Sequence, residues 1–281
     1  MLQGDVTPLI LTYNEEANIG RVLERLTWAP RILVVDSFST DATLDIVRSF
    51  PQVDVVQRPF DSFAGQCNFG LSQIDTEWVL SLDADYVCTE AFVQALQGLP
   101  PDPPFNGFAA SFSYCIYGRS LRGTLYPDRV VLYRRSHARY GQDGHAHRVH
   151  IDGPIGKLAG RILHDDRKPL SSWFAAQQRY AGEEAAKLLQ TPTHQLGLAD
   201  RLRLRMLGPA LAPLYTLFAK GVVLDGAAGW FYALQRTYAE IALALRLYEA
   251  RRSPAGAGAA SPPAAAAPRP AEPELLEHDG R

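Results

Sequence analysis

From Val6 to about Leu99 the chain alternates short, β-branched apolar runs with stretches of helical periodicity, and this alternation constrains the fold more than any other feature. Thr7–Thr12 reads as a strand, and Glu15–Leu26 as a helix with Ile19, Val22, Leu23 and Leu26 on one face. Arg31–Val35, Val53–Gln57 and Trp78–Leu82 read as further strands, separated by helices over Thr40–Phe50, Ala64–Ile74 and Thr89–Leu99. Strictly alternating strands and helices predict an α/β protein: a mostly parallel sheet flanked by helices, with ligands beyond the carboxyl ends of the strands. The polar residues that close each strand are therefore the candidates for chemistry.

A proline-rich break at Pro100–Pro104 precedes a change of texture. Residues 107–117 and 129–134 look like strands, 135–157 like loop with short strands, and Leu163 ends another strand. Ser171 or Ser172 is placed to cap a helix running to about Gln190. This half is expected to extend the same sheet, so that residues 1–193 form one domain. Residues 194–252 differ, carrying eight basic and four acidic side chains, whereas 1–193 are net acidic. Within them, residues 206–224 have Lys220 as their only charge, interrupted by Gly208, Pro209, Pro213 and Gly221. A spanning helix needs ~20 predominantly apolar residues. Arg201, Arg203 and Arg205 before this run, with Trp230, Phe231 and Tyr232 after it, suit an amphipathic helical appendage lying on an anionic membrane surface. A helical pair packed on the core is the plainer alternative. Residues 253–281 are dominated by Ala and Pro and are expected to be disordered.

The overall balance of 28 basic and 30 acidic residues offers no nucleic-acid footprint. Three cysteines without a C-x-x-C spacing argue against a disulfide framework and for a reducing compartment. The first residues lack a basic n-region and an uninterrupted apolar core, so the expected location is cytoplasmic. No Walker A sequence or dinucleotide fingerprint is present.

Asp83 and Asp85 close the strongest strand signal, WVLSLDADY. Residues i and i+2 of an extended chain point to one side, and paired carboxylates suit a hard divalent cation shared with substrate phosphates. Asp36 ends the second strand, where an acid commonly accepts hydrogen bonds from a base or ribose, with Ser39 or Thr40 ready to cap the following helix. The first strand ends in Thr12, Tyr13, Asn14, Glu15 and Glu16, an aromatic face beside carboxylates. The alternative for Glu15, Glu16 and Asp41 is acids favoured by a helix start.

Taken in order, LTYNEEANI, VVDSFSTDAT, the Gln66-x-Asn68 pair and SLDADY resemble the nucleotide-sugar-binding half of the inverting glycosyltransferases of family 2. YPDRVVLYRRSHARY, VHIDGPIG and ILHDDRKPLSSW extend the resemblance toward the branch of lipopolysaccharide core glycosyltransferases. The resemblance implies a GT-A fold, a nucleoside-diphosphate sugar donor, Mg²⁺ or Mn²⁺, and in-line attack by an acceptor hydroxyl. It implies that Tyr13, Glu15 and Asp36 line the nucleoside, with Thr12, Gln66 and Asn68 beside them. Asp83 then lies near ribose and metal, and Asp85 is the principal metal ligand. A displacement needs a general base. Where the family branch carries His-Glu, this chain has Ala146-His147, leaving Asp143 or His145 as the base, or neither. His164 is a candidate for the cation or diphosphate, Asp165 and Asp166 read as solvated, and Arg134 and Arg135 lead a dense set of arginines suited to an anionic group.

The implied function is transfer of one sugar to a glycolipid or lipid-linked acceptor, peripherally on the inner face of the cytoplasmic membrane. Gln178-Arg179-Tyr180 lacks the spacing of the processive polysaccharide synthases. Transfer to a polyprenyl phosphate, or nucleotide-sugar binding without catalysis, are the rival readings.

Overall fold

The computed structural model describes residues 5–143 and 146–252, and within them the side chains other than those of 142–148. The first strand, β1 (Val6–Thr12), lies between β2 (Ile32–Asp36) and β4 (Trp78–Asp83), parallel to both, with β3 (Val53–Gln57) outside β2. Alternate residues of these strands face opposite sides. Ile10, Val34 and Leu80 enter one core layer, and Leu9, Leu33 and Val79 the other. Each fully buried Leu or Ile contributes about 1.5–3 kcal/mol, which explains why the runs are apolar on both faces.

Helices α1 (Ile19–Glu24), α2 (Thr43–Arg48) and α4 (Glu90–Gln97) cover the first layer, while α3 (Phe63–Ser72) covers the second. Ser62 and Thr89 cap α3 and α4 through their hydroxyls, which accept from the amides of Gly65 and Phe92. α1 and α2 are shorter than their periodicity predicts. The amides of residues 14–16 donate to Ser39, Thr43 and Asp41, so those residues are fastened to the neighbouring loop and the first helix begins only at Ile19. α3 runs close enough to the sheet that a Cβ on Gly70 would lie 2.5 Å from Leu9 Cδ1.

Past β4 the sheet becomes mixed. β8 (Arg129–Arg134) runs antiparallel to both β4 and β6 (Gly107–Ile116), β11 (Ile155–His164) lies parallel to β6, and the short β5 (Tyr86–Cys88) pairs antiparallel with β11. β7 (Arg119–Ser120) folds back on the end of β6, and β9 (Ala138–Asp143) with β10 (Ala146–Ile151) forms a separate hairpin. The expected α/β architecture is present, with its parallel part confined to the first four strands and the β6–β11 pair.

α5 (Leu170–Gln190) starts directly after Pro169, without a side-chain cap, so neither Ser171 nor Ser172 has the capping role expected of it. It packs through Ala181, Ala185 and Leu188 against α8 (Ala227–Arg252), and α6 (Leu198–Leu204) joins them through a 2.8 Å ion pair between Arg203 and Glu240. The apolar run at 206–224 breaks into α7 (Gly208–Leu214), a π turn at 215–219 and a 3-10 turn at 222–225, with Gly221 at φ 71°. Among the described residues no helix is long and apolar enough to cross a membrane.

Asn18 joins the two ends of this architecture. It is fully buried; its amide nitrogen donates to Glu15 and Asp166, and its carbonyl oxygen accepts from Arg21 and the backbone of Arg167. The segment after β11 is thereby closed onto the loop after β1. Replacing Asn18→Ala leaves several of these groups without partners. Urea unfolding is expected to show a loss of about 2–4 kcal/mol, whereas a loss under 1 kcal/mol would mean that the clasp is dispensable.

Candidate functional site

The carboxyl ends of β1, β2 and β4 meet at one edge of the sheet, and their loops are locked together. Asn14, at φ 54°, donates its amide to Ser39 Oγ at 2.9 Å and accepts from the Thr40 amide at 2.8 Å. The positive φ is one that asparagine tolerates. Asp36 is completely buried. One of its oxygens accepts from Thr12 Oγ1 at 2.9 Å and from the Ser39 hydroxyl, the other from the Ser39 amide and Gln57 Nε2. Both oxygens are thus occupied by protein donors, and Asp36 together with Thr12 fixes the strand ends. Tyr13 stands half-exposed at the rim.

Two other candidates are also taken up by the protein. Gln66 is buried, and its Nε2 lies within hydrogen-bond distance of Ser37 Oγ and the carbonyls of Arg58 and Pro59, while its Oε1 has no partner among the described residues. Asn68 exchanges two 3.0 Å hydrogen bonds with the backbone of Tyr140 and so holds β9 against α3.

Asp83 and Asp85 do reach this edge, but each meets a different basic side chain. Asp83, 41% exposed, has Oδ2 3.6 Å from Arg129 Nη1. Asp85 Oδ2 lies 3.0 Å from His164 Nε2 at the end of β11. Burial opposes protonation of His164, but the Asp85 carboxylate outweighs it and raises the imidazole pKa. Rings of Tyr86, Tyr114 and Tyr126 surround the imidazole edge-on at 4.7–5.4 Å, and its Nδ1 has no partner among the described residues. A carboxylate, an imidazole and a second exposed carboxylate are donors that a divalent cation accepts when substrate phosphates complete its shell. Among the described residues, no group of three or more His, Cys, Asp or Glu is already gathered as a cage.

A third acid, Glu15, pairs with Lys168 at 2.6 Å. Burial pushes the Glu15 carboxyl up to about 7 despite Lys168 and Asn18, and the charge of Asp85 adds to the rise. Burial also acts against the charge on Lys168, but Glu15 outweighs it and holds the ammonium pKa high.

Arg134 and Arg135 are not part of this edge. Because β8 runs antiparallel to β4, Arg134 pairs with Trp78, at the opposite end of β4 and about 16 Å from Asp83. There it forms ion pairs with Glu77 and Asp102 and lies over the Trp78 ring, while Arg135 donates to the carbonyl of Thr76. Arg129, at the other end of the same strand, takes the place beside the carboxylates. Asp165 corrects a second expectation: it is buried, not solvated, and binds Arg21, Arg167 and the Gly118 amide. Asp166 accepts from Asn18 and the Lys168 amide.

Asp143 is the last residue of β9, which passes β4 where Tyr140 donates to Ser81 Oγ at 2.8 Å. Its side chain, and the whole of His145, lie outside the described residues. Lys168 and Asn18 were not singled out from sequence, and Arg129 stood there only as one of the arginine set led by Arg134 and Arg135. The strand register places Arg129, and the partners of Lys168 and Asn18 lie about 150 positions away in the chain.

The family model for glycosyl transferase family 2 matches residues 9–152. The lipopolysaccharide core biosynthesis glycosyltransferase LpsC of Rhizobium meliloti is 24% identical over 253 residues, covering 87% of this chain and 92% of that protein. An uncharacterized glycosyltransferase of Rickettsia typhi is 35% identical over 81 residues, which are 28% of this chain and 27% of its own length. Among solved structures, glucosyl-3-phosphoglycerate synthase from Mycobacterium tuberculosis, in complex with Mn²⁺, UDP and phosphoglyceric acid, is 16% identical. It covers 69% of this chain and 82% of its own, with a TM-score of 0.46. S. aureus TarS 1–349 in complex with UDP-GlcNAc is 16% identical over 88% and 91% of the two chains, with a TM-score of 0.44.

The raised Glu15 pKa has a consequence for stability. A folded value near 7 against 4.5 unfolded means that the folded chain holds the extra proton, so the contribution of Glu15 is full below pH 4.5 and is lost as pH rises through 7. Relative to wild type, Glu15→Gln is expected to gain stability across that window, by at most about 1.4 kcal/mol per pH unit. Urea titrations at a series of pH values check this, and a pH-independent difference would contradict it.

Proposed function

The chain belongs to glycosyl transferase family 2 and is a glycosyltransferase, and from that premise we propose that it transfers a single sugar, with inversion, from a nucleoside-diphosphate sugar to a lipid-linked or envelope-glycolipid acceptor of lipopolysaccharide type. The observation that carries this reading is the Asp85–His164 pair, 3.0 Å apart at the carboxyl edge of the sheet, with Asp83 at the end of β4 two residues before Asp85. The likeness to LpsC, which extends over nearly all of that protein, favours the acceptor class.

In this reading Tyr13 and Glu15 face the nucleoside, and Asp36, Thr12, Gln66 and Asn68 keep the loops and β9 in place around it. Asp85 and His164 are the residues that would hold Mg²⁺ or Mn²⁺, with Asp83 at the end of β4. A cation bound there supplies neutralisation of the negative charge that grows on the diphosphate as the glycosidic bond breaks. An acceptor hydroxyl then attacks the anomeric carbon from the opposite side, giving its proton to a base for which Asp143 and His145 are the candidates. Lys168 and Arg129 add positive charge on the two sides of the carboxylates.

Residues 194–252 serve as a membrane-association segment that follows the 1–193 transferase domain. Leu211, Leu214, Tyr215, Phe218 and Leu224 are all more than 40% exposed, and Lys220 lies among them. Apolar side chains with an interspersed cation suit the interface of an anionic bilayer. The protein accordingly works as a peripheral enzyme on the inner face of the cytoplasmic membrane.

Two experiments test this. Asp85→Asn is expected to lower transfer from a nucleotide-sugar panel in the presence of Mn²⁺ by at least about 100-fold, several kcal/mol of lost charge stabilisation, while circular dichroism stays unchanged; undiminished turnover would remove Asp85 from the mechanism. The double substitution Phe218→Asp and Leu224→Asp is expected to weaken co-sedimentation with phosphatidylglycerol-containing vesicles by about tenfold or more. Equal sedimentation of variant and wild type would rule this face out as the contact.

A further inference from the structure

Arg129 is held in two unequal ways. Its Nη1 donates to the hydroxyls of Tyr86 and Tyr126, each at 2.8 Å, and its guanidinium lies over the Tyr126 ring at 5.5 Å. Tyr86 is buried, and the two tyrosine hydroxyls touch each other, so this anchor is part of the packed wall around His164. Toward Asp83 the same nitrogen is 3.6 Å from the carboxylate, beyond hydrogen-bond distance, and Asp83 itself is 41% exposed. Breaking the tyrosine contacts would leave buried groups without partners, whereas a half-exposed contact at 3.6 Å costs little to break. The cation therefore stays fixed while the carboxylate is free to turn.

We infer that Arg129 is a charge-exchange residue: without a donor it neutralises Asp83, and when Asp83 turns to a divalent cation the fixed guanidinium faces the donor's diphosphate. The inference rests on the reading of Asp83 and Asp85 as the cation and diphosphate end of a donor site. Its consequence is coupling. A cation arriving alone competes with Arg129 for Asp83, and a diphosphate arriving alone competes with Asp83 for Arg129. Each ligand releases the group the other needs, so the two bind cooperatively, and the coupling is reciprocal.

The probes are Mn²⁺ alone, inorganic pyrophosphate alone and the two together, titrated calorimetrically against the full chain. Wild type is expected to bind pyrophosphate at least about fivefold more tightly when Mn²⁺ is present. Arg129→Gln is expected to move the two single-ligand affinities in opposite directions, with Mn²⁺ tighter and pyrophosphate weaker, each by about fivefold or more, and to reduce the coupling. Arg129→Lys retains the charge and is expected to restore much of the coupling. Asp83→Asn, at a half-exposed position, is independent of any folding defect at Arg129 and is expected to tighten pyrophosphate binding in EDTA.

A purely structural role for Arg129 would weaken both ligands together, and that result overturns the inference. So does an Asp83→Asn protein that binds pyrophosphate no more tightly than wild type in EDTA. Either result in a wild type that binds pyrophosphate with Mn²⁺ leaves the donor-site reading intact, whereas a wild type that binds neither probe overturns both.

Discussion

The parallel pairing of β1 with β2 on one side and β4 on the other is the constraint on which the rest of the structure depends. Parallel strands all end at the same edge, so Thr12, Asp36 and Asp83 are brought level by the hydrogen-bond register itself, with Thr12 opposite Asp36 and Leu11 opposite Asp83. Such a sheet must be covered on both faces, and the residues that cover it are the apolar runs. Polar side chains are thus displaced to the strand ends and loops, where backbone groups released from the ladder need partners. Asp36, Ser39, Asn14 and Asp41 meet that need, and the edge becomes rigid before any ligand is considered.

A rigid edge alone would leave the carboxylates of Glu15, Asp83 and Asp85 repelling one another. Each has a basic partner: Lys168 after β11, Arg129 at the start of β8 and His164 at the end of β11. Two of these come from the segment 164–168, which Asn18 and Arg21 fasten to the first loop. The closure of the last sheet strand onto the first loop is therefore also what neutralises the acids. Packing and electrostatics are served by the same contacts, so a change in this clasp should register in both.

The strands were readable because β-branched runs with polar ends have few other uses, and Val53–Gln57 and Arg129–Arg134 match their expected bounds. Asp83 was readable as a strand end because strand polarity is a local property, whereas Asp85 lies past the end of β4 in the turn before β5, where the alternation expected to point both carboxylates one way no longer applies. What periodicity does not contain is strand direction once the alternation with helices stops. Arg129 and Arg134 are equivalent in a sequence pattern; only the antiparallel pairing of β8 with β4 carries one to the carboxylates and the other about 16 Å away. Asp36 and Asn68 present a related difficulty. Their positions at a strand end and on a helix were correctly anticipated, but how many protein donors and acceptors reach them depends on Gln57, Ser39 and Tyr140, whose approach is set by tertiary packing.

The C-terminal helices are more than an appendage in this arrangement. The hydroxyl of Tyr232 on α8 accepts from the Leu125 amide at 3.1 Å, its ring packs 4.8 Å from Tyr114, and Asp225 accepts from the Arg122 amide at 3.0 Å. These contacts brace residues 121–126, the loop that carries Tyr126 to Arg129 and His164. The neighbouring exposed run, Leu211 to Leu224, is the one with the apolar side chains suited to lipid. A force applied to that run by an interface would reach the tyrosine wall through two hydrogen bonds and one ring contact, with no flexible linker between them. The exposed run and the geometry at Arg129 are therefore mechanically continuous, and truncating the chain before α8 would remove Tyr232 and with it part of the brace on the loop that carries Tyr126.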